Sequence, residues 1–95
     1  MGGDSAGGTL AAACALHARD AGLALALQLL FYPGTAALGD TPSHGTFAQG
    51  FVLESSHLEY FFAQYVRTDQ DRHDWRFAPL DGLTPAGELA DLSGV

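Results

Sequence analysis

One serine near the amino terminus stands between glycines at a spacing that suits nucleophilic chemistry. Residues 3–7 read Gly-Asp-Ser-Ala-Gly, which is the pattern G-x-S-x-G, and Gly8 extends it. A nucleophilic serine needs a strained turn between a strand and a helix, because such a turn pushes its hydroxyl outward. The residues two positions before and after it must be small, since their backbones approach closely. The pattern predicts acyl transfer at Ser5, with Gly3, Gly7 and Gly8 as the glycines of this elbow turn.

The residues after the serine suit the electrostatic part of the same chemistry. An alanine-rich segment follows, and its positive amino-terminal end would face the oxyanion that forms during acyl transfer. The backbone N–H of Ala6 would donate to that oxyanion. One alternative is an ordinary glycine-rich helix start, with Asp4 or Ser5 as the N-cap. Nucleotide binding is the weaker alternative, because the glycines match neither G-x-G-x-x-G nor a phosphate loop with its Lys-Ser/Thr pair.

The pattern along the chain predicts one partial domain of the α/β class over residues 1–95. The segments are the elbow and helix (1–21), a strand (24–32), a loop (33–54), a helix (55–67) and an irregular tail (68–95). Gly22 marks the end of the first helix. In the second helix, Ser56 and Glu59 have the spacing of a capping box. Its apolar positions are typical of a helix core: Leu58, Phe61, Phe62 and Tyr65.

The predicted strand carries an unusual amount of apolar surface. Residues 23–32 read Leu-Ala-Leu-Ala-Leu-Gln-Leu-Leu-Phe-Tyr, which suits a parallel-sheet strand covered on both faces. The leucines and alanines could equally form a helix, and a small acidic helical domain is then the alternative fold. The turn at Pro33-Gly34 favours the strand. Because the sequence contains no second confident strand, we expect this one to be exposed and to allow self-association or binding of another subunit.

Composition excludes several classes of function. Of the 95 residues, 47% are hydrophobic and 16% charged, and the net charge is -7. This charge argues against nucleic-acid binding and against adhesion to anionic lipid. The longest apolar run is too short to span a membrane, and the amino terminus lacks the features of a signal peptide. The lone Cys14 excludes a disulfide framework and favours a small buried side chain in a reducing, cytoplasmic setting.

Other polar residues have more ordinary interpretations. The histidines at 17, 44, 57 and 73 are expected to be surface or packing residues, and His17 would lie far along the helix that starts after Ser5. Residues 69–74 alternate carboxylates and include one imidazole, yet they lack the ligand spacing of an EF-hand or of a zinc site. A solvated linker is the better interpretation, and we expect no metal site.

Several segments together resemble one known family. Residues 2–11 look like the elbow of hormone-sensitive-lipase-like esterases, also called α/β-hydrolase fold-3. Residues 27–33 are similar to the family's next strand, which ends in Tyr-Pro. The segments 74–80, with its Ala-Pro-Leu, and 90–94 resemble the approach to the following core strand. The resemblance follows the family's order over nearly the whole chain.

The resemblance implies a partial α/β-hydrolase fold and the chemistry of a serine carboxylesterase. Ser5 would be the nucleophile, Ala6 one oxyanion donor, and a small short-acyl ester the substrate, with no cofactor. In the family a His-Gly-Gly-Gly motif precedes the elbow, and the catalytic acid and histidine follow it. None of these is recognisable here. We therefore expect an internal fragment that is inactive alone; a non-catalytic chain that associates through its exposed strand is the alternative.

Overall fold

The structure is a computed structural model that describes every residue from 1 to 95. Its elements in chain order are β1 (Gly2–Asp4), α1 (Ala6–Asp20), β2 (Leu29–Phe31), α2 (Pro42–Thr46), α3 (Ser55–Tyr65) and a 3₁₀ helix (Asp69–His73). The α/β class expected from the sequence is confirmed, because parallel strands and helices together form a small partial α/β domain.

The two strands form a parallel pair in which Gly2 lies opposite Leu29 and Asp4 lies opposite Phe31. Parallel neighbours require a crossover connection, and α1 supplies it. Both strands therefore end at the same edge of the sheet. Ser5 follows β1 at this edge and Tyr32 follows β2, so the elbow turn and the turn after β2 are neighbours.

β2 is shorter than the strand expected over residues 24–32. Only Leu29–Phe31 form a regular ladder, because β1 offers three residues opposite and residues 24–28 have no strand beside them. The sequence pattern reports apolar periodicity, but strand length depends on a partner that lies far away in the sequence. The prediction of a nine-residue strand is therefore wrong at its amino-terminal half.

α1 covers one face of this sheet and leaves the other face exposed. Gly3 shares its face with Leu30 in register, and a Cβ on Gly3 would strike the α1 backbone at Gly7. The alternate side chains Leu29 and Phe31 point to the opposite face, where about half of each is exposed. The expectation of cover on both faces is not met within this chain, because a single helix shields a single face.

The buried side of α1 consists mostly of alanines, and the helix ends in a turn at a glycine. The buried side chains of this helix are Ala11, Ala12, Ala13, Ala15, Leu16 and Ala18. Gly22 has a φ of 72°, and its N–H donates to Arg19 while the N–H of Leu23 donates to Ala18. This pair of bonds satisfies the last carbonyls of the helix. The stop signal at Gly22 is confirmed.

The segment expected to be a loop over residues 33–54 contains one short helix. α2 begins with Pro42 in its first turn, a position that tolerates proline because that N–H has no helical acceptor. Thr41 precedes it, and the Thr41 hydroxyl lies 2.6 Å from Nδ1 of His44. A single turn of this kind leaves no apolar periodicity, so the sequence pattern did not reveal it.

α3 starts and ends slightly differently from the prediction over residues 55–67. Its capping box consists of Glu54 and His57 rather than Ser56 and Glu59: the N–H of Glu54 donates to Nδ1 of His57 at 3.1 Å. The helix ends at Tyr65, because Val66 is extended. Its apolar stripe is only partly buried. Leu58 and Phe62 are half-buried, whereas Phe61 and Tyr65 are exposed, contrary to the expected helix core.

The tail over residues 68–95 is mostly irregular but is tied to the rest of the chain. Ala78, Pro79 and Gly82 are buried, and Leu83 bridges to Asp74. The guanidinium of Arg19 donates to the carbonyls of Asp91 and Ser93, which holds the last residues against the end of α1. Among the helices, none has the length and apolar character needed to cross a membrane.

Candidate active site

Ser5 lies in a strained turn between β1 and α1. Its φ is 51° and its ψ is -120°, a combination that residues other than glycine rarely adopt. Its N–H donates to the carbonyl of Phe31 at 2.9 Å, which anchors the turn to the end of β2. The residue is exposed, and its hydroxyl makes no capping bond to α1. An ordinary N-cap would have an extended backbone and a hydroxyl turned to the helix, so that alternative is wrong for Ser5.

The glycines around Ser5 differ in how strongly the turn requires them. A Cβ on Gly3 would overlap the carbonyl of Gly7 and come within 2.8 Å of the backbone N of Gly8. A Cβ on Gly8 would lie 3.0 Å from Cβ of Pro33. At Gly7 the nearest atom would be 4.0 Å away, which leaves room for a side chain. The turn therefore requires a glycine at position 3 and leaves little room for a side chain at Gly8. The close backbone approach expected at Gly7 is absent.

The start of α1 presents backbone donors beside the serine. Ala6 is the first residue of the helix, and the N–H groups of a first turn have no acceptor within the helix. The first intrahelical bond here is made by Thr9, whose N–H donates to the carbonyl of Ser5 at 3.1 Å. Because the Ser5 hydroxyl caps none of these donors, the Ala6 N–H stands free at the positive end of the helix.

The turn after β2 lies beside the elbow turn at the same edge of the sheet. Tyr32 has a φ of 37°, so the two residues other than glycine with positive φ are those that follow the two strands. The hydroxyl of Thr9 donates to the carbonyl of Gly34 at 2.7 Å and joins this turn to the first turn of α1. The sequence analysis used Tyr32 only as part of the Tyr-Pro of the family resemblance and did not predict its positive φ, because that conformation at a tyrosine leaves no mark in the residue pattern.

A single carboxylate fixes the loop beyond that turn. The backbone N–H groups of Ala37 and Leu38 donate to the two oxygens of Asp81 at 3.0 and 3.3 Å. The N–H of Leu80 donates to the carbonyl of Thr35 at 2.8 Å. Asp81 thereby connects the tail with the loop that starts at the strand ends. The sequence analysis did not single out Asp81, since the partner amides lie more than forty residues away.

The four histidines are held in other parts of the fold. His17 lies twelve residues after Ser5 on the same helix, about 18 Å along its axis at 1.5 Å per residue. Nδ1 of His44 bonds to Thr41, and Nδ1 of His57 accepts from Glu54. His73 ends the 3₁₀ helix. None of them makes a hydrogen bond to the hydroxyl of Ser5.

An open groove of about 510 Å³ runs between α1 and the segment after α3. Cys14 and His17 lie on its α1 side, and Cys14 is exposed, so the expectation of a buried thiol is wrong. Across from them Arg76 donates to Asp74 at 2.9 and 2.6 Å and holds the pKa of that carboxyl below its usual value. These charges are paired with each other and are separate from Ser5.

The polar segment around the 3₁₀ helix forms local ion pairs. Arg67 donates to Asp71 through two side-chain nitrogens at 3.1 Å each, and its hydrogen bonds lower the pKa of the Asp71 carboxyl. Nowhere in the chain do three or more histidine, cysteine or carboxylate side chains gather in a way that could hold a metal ion.

Comparison with known proteins identifies the family of this chain. A sequence model of the alpha/beta hydrolase fold matches residues 1–94. The carboxylic ester hydrolase LipN of Mycobacterium tuberculosis is 41% identical over 97 residues, which cover 90% of this chain and 26% of LipN. The ethyl acetate hydrolase of Pseudomonas putida is 43% identical over 92 residues, which cover 95% of this chain and 29% of that enzyme. The chain thus spans between a quarter and a third of the length of these relatives.

Solved structures agree with the sequence relatives. LAE6, an α/β hydrolase from the metagenome of Lake Arreo in Spain, superposes with a TM-score of 0.81 at 36% identity over 99% of this chain and 28% of LAE6. A thermostable esterase from Pseudomonas putida ECU1011 superposes with a TM-score of 0.79 at 36% identity over 86% of this chain and 26% of the esterase.

The chain belongs to the α/β-hydrolase fold family. The resemblance to hormone-sensitive-lipase-like esterases is confirmed, since the match extends over residues 1–94 and the relatives are named as ester hydrolases.

Proposed function

We propose that this chain carries the nucleophile turn of a serine carboxylesterase, with Ser5 as the nucleophile. The observation that supports this most strongly is the backbone of Ser5, whose φ of 51° projects an exposed and uncapped hydroxyl from the β1–α1 turn. Backbone strain persists where the surrounding structure imposes it, and such strain clusters at active sites. Gly3 is the neighbour that makes the turn sterically feasible.

In the proposed reaction, the Ser5 oxygen attacks the carbonyl carbon of a small ester. The serine proton passes to a histidine base, which none of the four histidines of this chain supplies, and then to the departing alcohol, which leaves an acyl group on Ser5. Water hydrolyses that acyl group and restores the serine. The Ala6 N–H, at the free end of α1, donates to the oxyanion of each tetrahedral intermediate. The relative named as an ethyl acetate hydrolase favours short-acyl esters as substrates.

We further propose that the chain by itself does not turn over esters through Ser5. The placement of the histidines supports this, because His17 is about 18 Å along the helix axis and none of the four makes a hydrogen bond to the hydroxyl of Ser5. Loss of the serine or of the histidine base costs on the order of a millionfold in kcat in a serine hydrolase. We expect the wild-type chain and Ser5→Ala to hydrolyse an activated short-chain ester equally slowly. A burst that depends on Ser5 would contradict this.

A segment exchange tests the nucleophile itself. The 95% of this chain that aligns with the Pseudomonas putida ethyl acetate hydrolase, at 43% identity, would replace the matching segment of that enzyme. We expect the chimera to hydrolyse ethyl acetate and Ser5→Ala to abolish that activity. Ser43→Ala, an exposed serine in α2, is the matched control and should leave it unchanged. A folded chimera whose activity survives Ser5→Ala would refute the assignment.

A further inference from the structure

Thr9, in the first turn of α1, joins the elbow turn to the turn after β2. Its hydroxyl donates to the carbonyl of Gly34 at 2.7 Å. A helical threonine can instead return its hydroxyl to the carbonyl four residues earlier, but here that contact, to Ser5, is the longer one at 3.4 Å. The hydroxyl proton therefore forms the tertiary bond, and the carbonyl of Ser5 accepts the backbone N–H of Thr9 at 3.1 Å.

Close backbone packing surrounds this bond. A Cβ on Gly8 would lie 3.0 Å from Cβ of Pro33, and a Cβ on Gly34 would lie 3.2 Å from the hydroxyl oxygen of Thr9. Gly8 is buried and Thr9 is half-buried. The first turn of α1 and the turn after β2 therefore touch through two successive residues of each, and every group in this contact belongs to the chain itself.

The bond of Thr9 lies between the two strained residues at the strand ends. Ser5, with a φ of 51°, precedes Thr9 by four residues, and Tyr32, with a φ of 37°, precedes Gly34 by two. The N–H of Ser5 ties the same two segments together through the carbonyl of Phe31. Strained conformations persist only where the surrounding structure holds them. The Thr9 hydroxyl is therefore part of what holds the two turns in place.

The carbonyl that Thr9 holds belongs to the peptide group of the proposed oxyanion donor. The carbonyl of Ser5 and the N–H of Ala6 form one planar peptide group, so a rotation of one end turns the other. The N–H of Thr9 fixes the carbonyl end, and the hydroxyl of Thr9 fixes that residue to Gly34. The direction of the Ala6 N–H therefore depends on how firmly Thr9 is held.

We propose that Thr9 is a positioning residue for ester hydrolysis: its hydroxyl, bound to Gly34, keeps the Ala6 N–H aimed at the oxyanion. This inference rests on the proposed function of Ser5. Such a donor stabilises a transition state because it is oriented before the charge develops. Since the oxyanion forms only after attack on the ester, loss of the Thr9 bond should slow the chemical step and leave binding of the ester unchanged.

Amide hydrogen exchange of the full chain, followed by NMR, tests the link without any enzymatic activity. Thr9→Val keeps the shape and removes the hydroxyl. It should speed exchange of the Ser5 N–H by about two- to tenfold, which corresponds to the net value of one hydrogen bond. Thr9→Ser keeps the hydroxyl and should exchange like the wild type. Thr46→Val is the matched control, because the hydroxyl of Thr46 also donates to a carbonyl, that of Pro42 at 3.0 Å, but within α2.

A second amide separates a local effect from a general loss of stability. Leu16 is buried in the last part of α1, and exchange of its N–H should be the same in Thr9→Val and the wild type. Equal acceleration at Leu16 and Ser5 would show that Thr9 supports the whole fold, and it would overturn the proposal. An unchanged rate at Ser5 would overturn it too.

Kinetics of the chimera with the Pseudomonas putida ethyl acetate hydrolase test the consequence for catalysis. We expect Thr9→Val to lower kcat for ethyl acetate by about tenfold with KM unchanged, well short of the roughly 10²–10³-fold cost of removing an oxyanion donor altogether. Thr9→Ser should retain most of kcat, because the hydroxyl is still present. Thr46→Val should match the unsubstituted chimera.

The kinetic outcomes distinguish this inference from the proposed function. Activity that survives Ser5→Ala refutes Ser5 as the nucleophile and, with it, the role of Thr9. Activity that depends on Ser5 but is equal in Thr9→Val and the unsubstituted chimera overturns the role of Thr9 alone. A rise in KM with kcat unchanged, or a fall in kcat that Thr9→Ser or Thr46→Val shares, overturns that role as well.

Discussion

At the residue scale, one backbone hydrogen bond and close backbone packing together explain the elbow turn. Ser5 can hold a φ of 51° because the chain on both sides of it is fixed, by its own N–H bond to Phe31 and by the helix that follows. The carbonyl of Gly7 occupies the space where a Cβ of Gly3 would be. The exposed hydroxyl is therefore a consequence of backbone packing around the serine.

The two glycines that flank the serine should respond oppositely to the addition of a methyl group. Gly3→Ala places a Cβ against backbone atoms that cannot move freely, and overpacking of this kind costs about 1–3 kcal/mol. Gly7→Ala adds a methyl group to an open helical position and should stabilise the fold by about 0.4–1 kcal/mol. Urea unfolding of both variants and the wild type measures this. Equal destabilisation by the two changes would disprove the steric account.

The sequence motif predicted the position of the elbow but treated its glycines alike. The spacing of Gly3, Ser5 and Gly7 indicates a tight turn because only small residues fit one. Which glycine makes the closest contact depends on how α1 leaves the strand, and that direction is set by the packing of the whole unit. The same reasoning explains why Asp81 was not recognised, since its amide partners are remote in sequence.

At the element scale, hydrogen bonds outside the regular helical pattern fix the end of α1 and the start of α3. α1 stops at Gly22, whose φ of 72° lets two amides return to the last carbonyls. α3 starts at a capping box formed by Glu54 and His57. Local chemistry of this kind is readable from the sequence when the residue types are distinctive. Gly22 was recognised, whereas the box at Glu54 was placed at Ser56 because histidine is an unusual member of such a pair.

A matched pair of glycine substitutions tests the role of positive φ at a helix end. Gly22 and Gly45 both have open space where a Cβ would be, and only Gly22 has a positive φ. Gly22→Ala should destabilise the chain by about 1–2 kcal/mol, the cost of a left-handed conformation for an L residue. Gly45→Ala, within α2, should be neutral or stabilising by up to about 1 kcal/mol. Thermal or urea unfolding checks both, and a similar loss at Gly45 would contradict the explanation.

At the scale of the whole molecule, the strongly apolar sequence builds very little interior. The buried hydrophobic side chains are six positions in α1 and Ala78, and all but Leu16 are alanines. The larger leucines and phenylalanines lie mostly at the surface, because two short strands and one helix form only half of a layered structure. The larger apolar side chains of this chain therefore contribute little buried surface to its stability.

The sequence by itself determined the position of the elbow turn, the alanine-rich helix, the end of that helix and membership of the hydrolase family. These features follow from local sterics and propensity, which act over a few residues. Tertiary structure decided the length of β2, the face that α1 covers, the exposed position of Cys14 and the loop held by Asp81. Each of these depends on a partner distant along the chain, and the residue pattern of one segment carries no information about that partner.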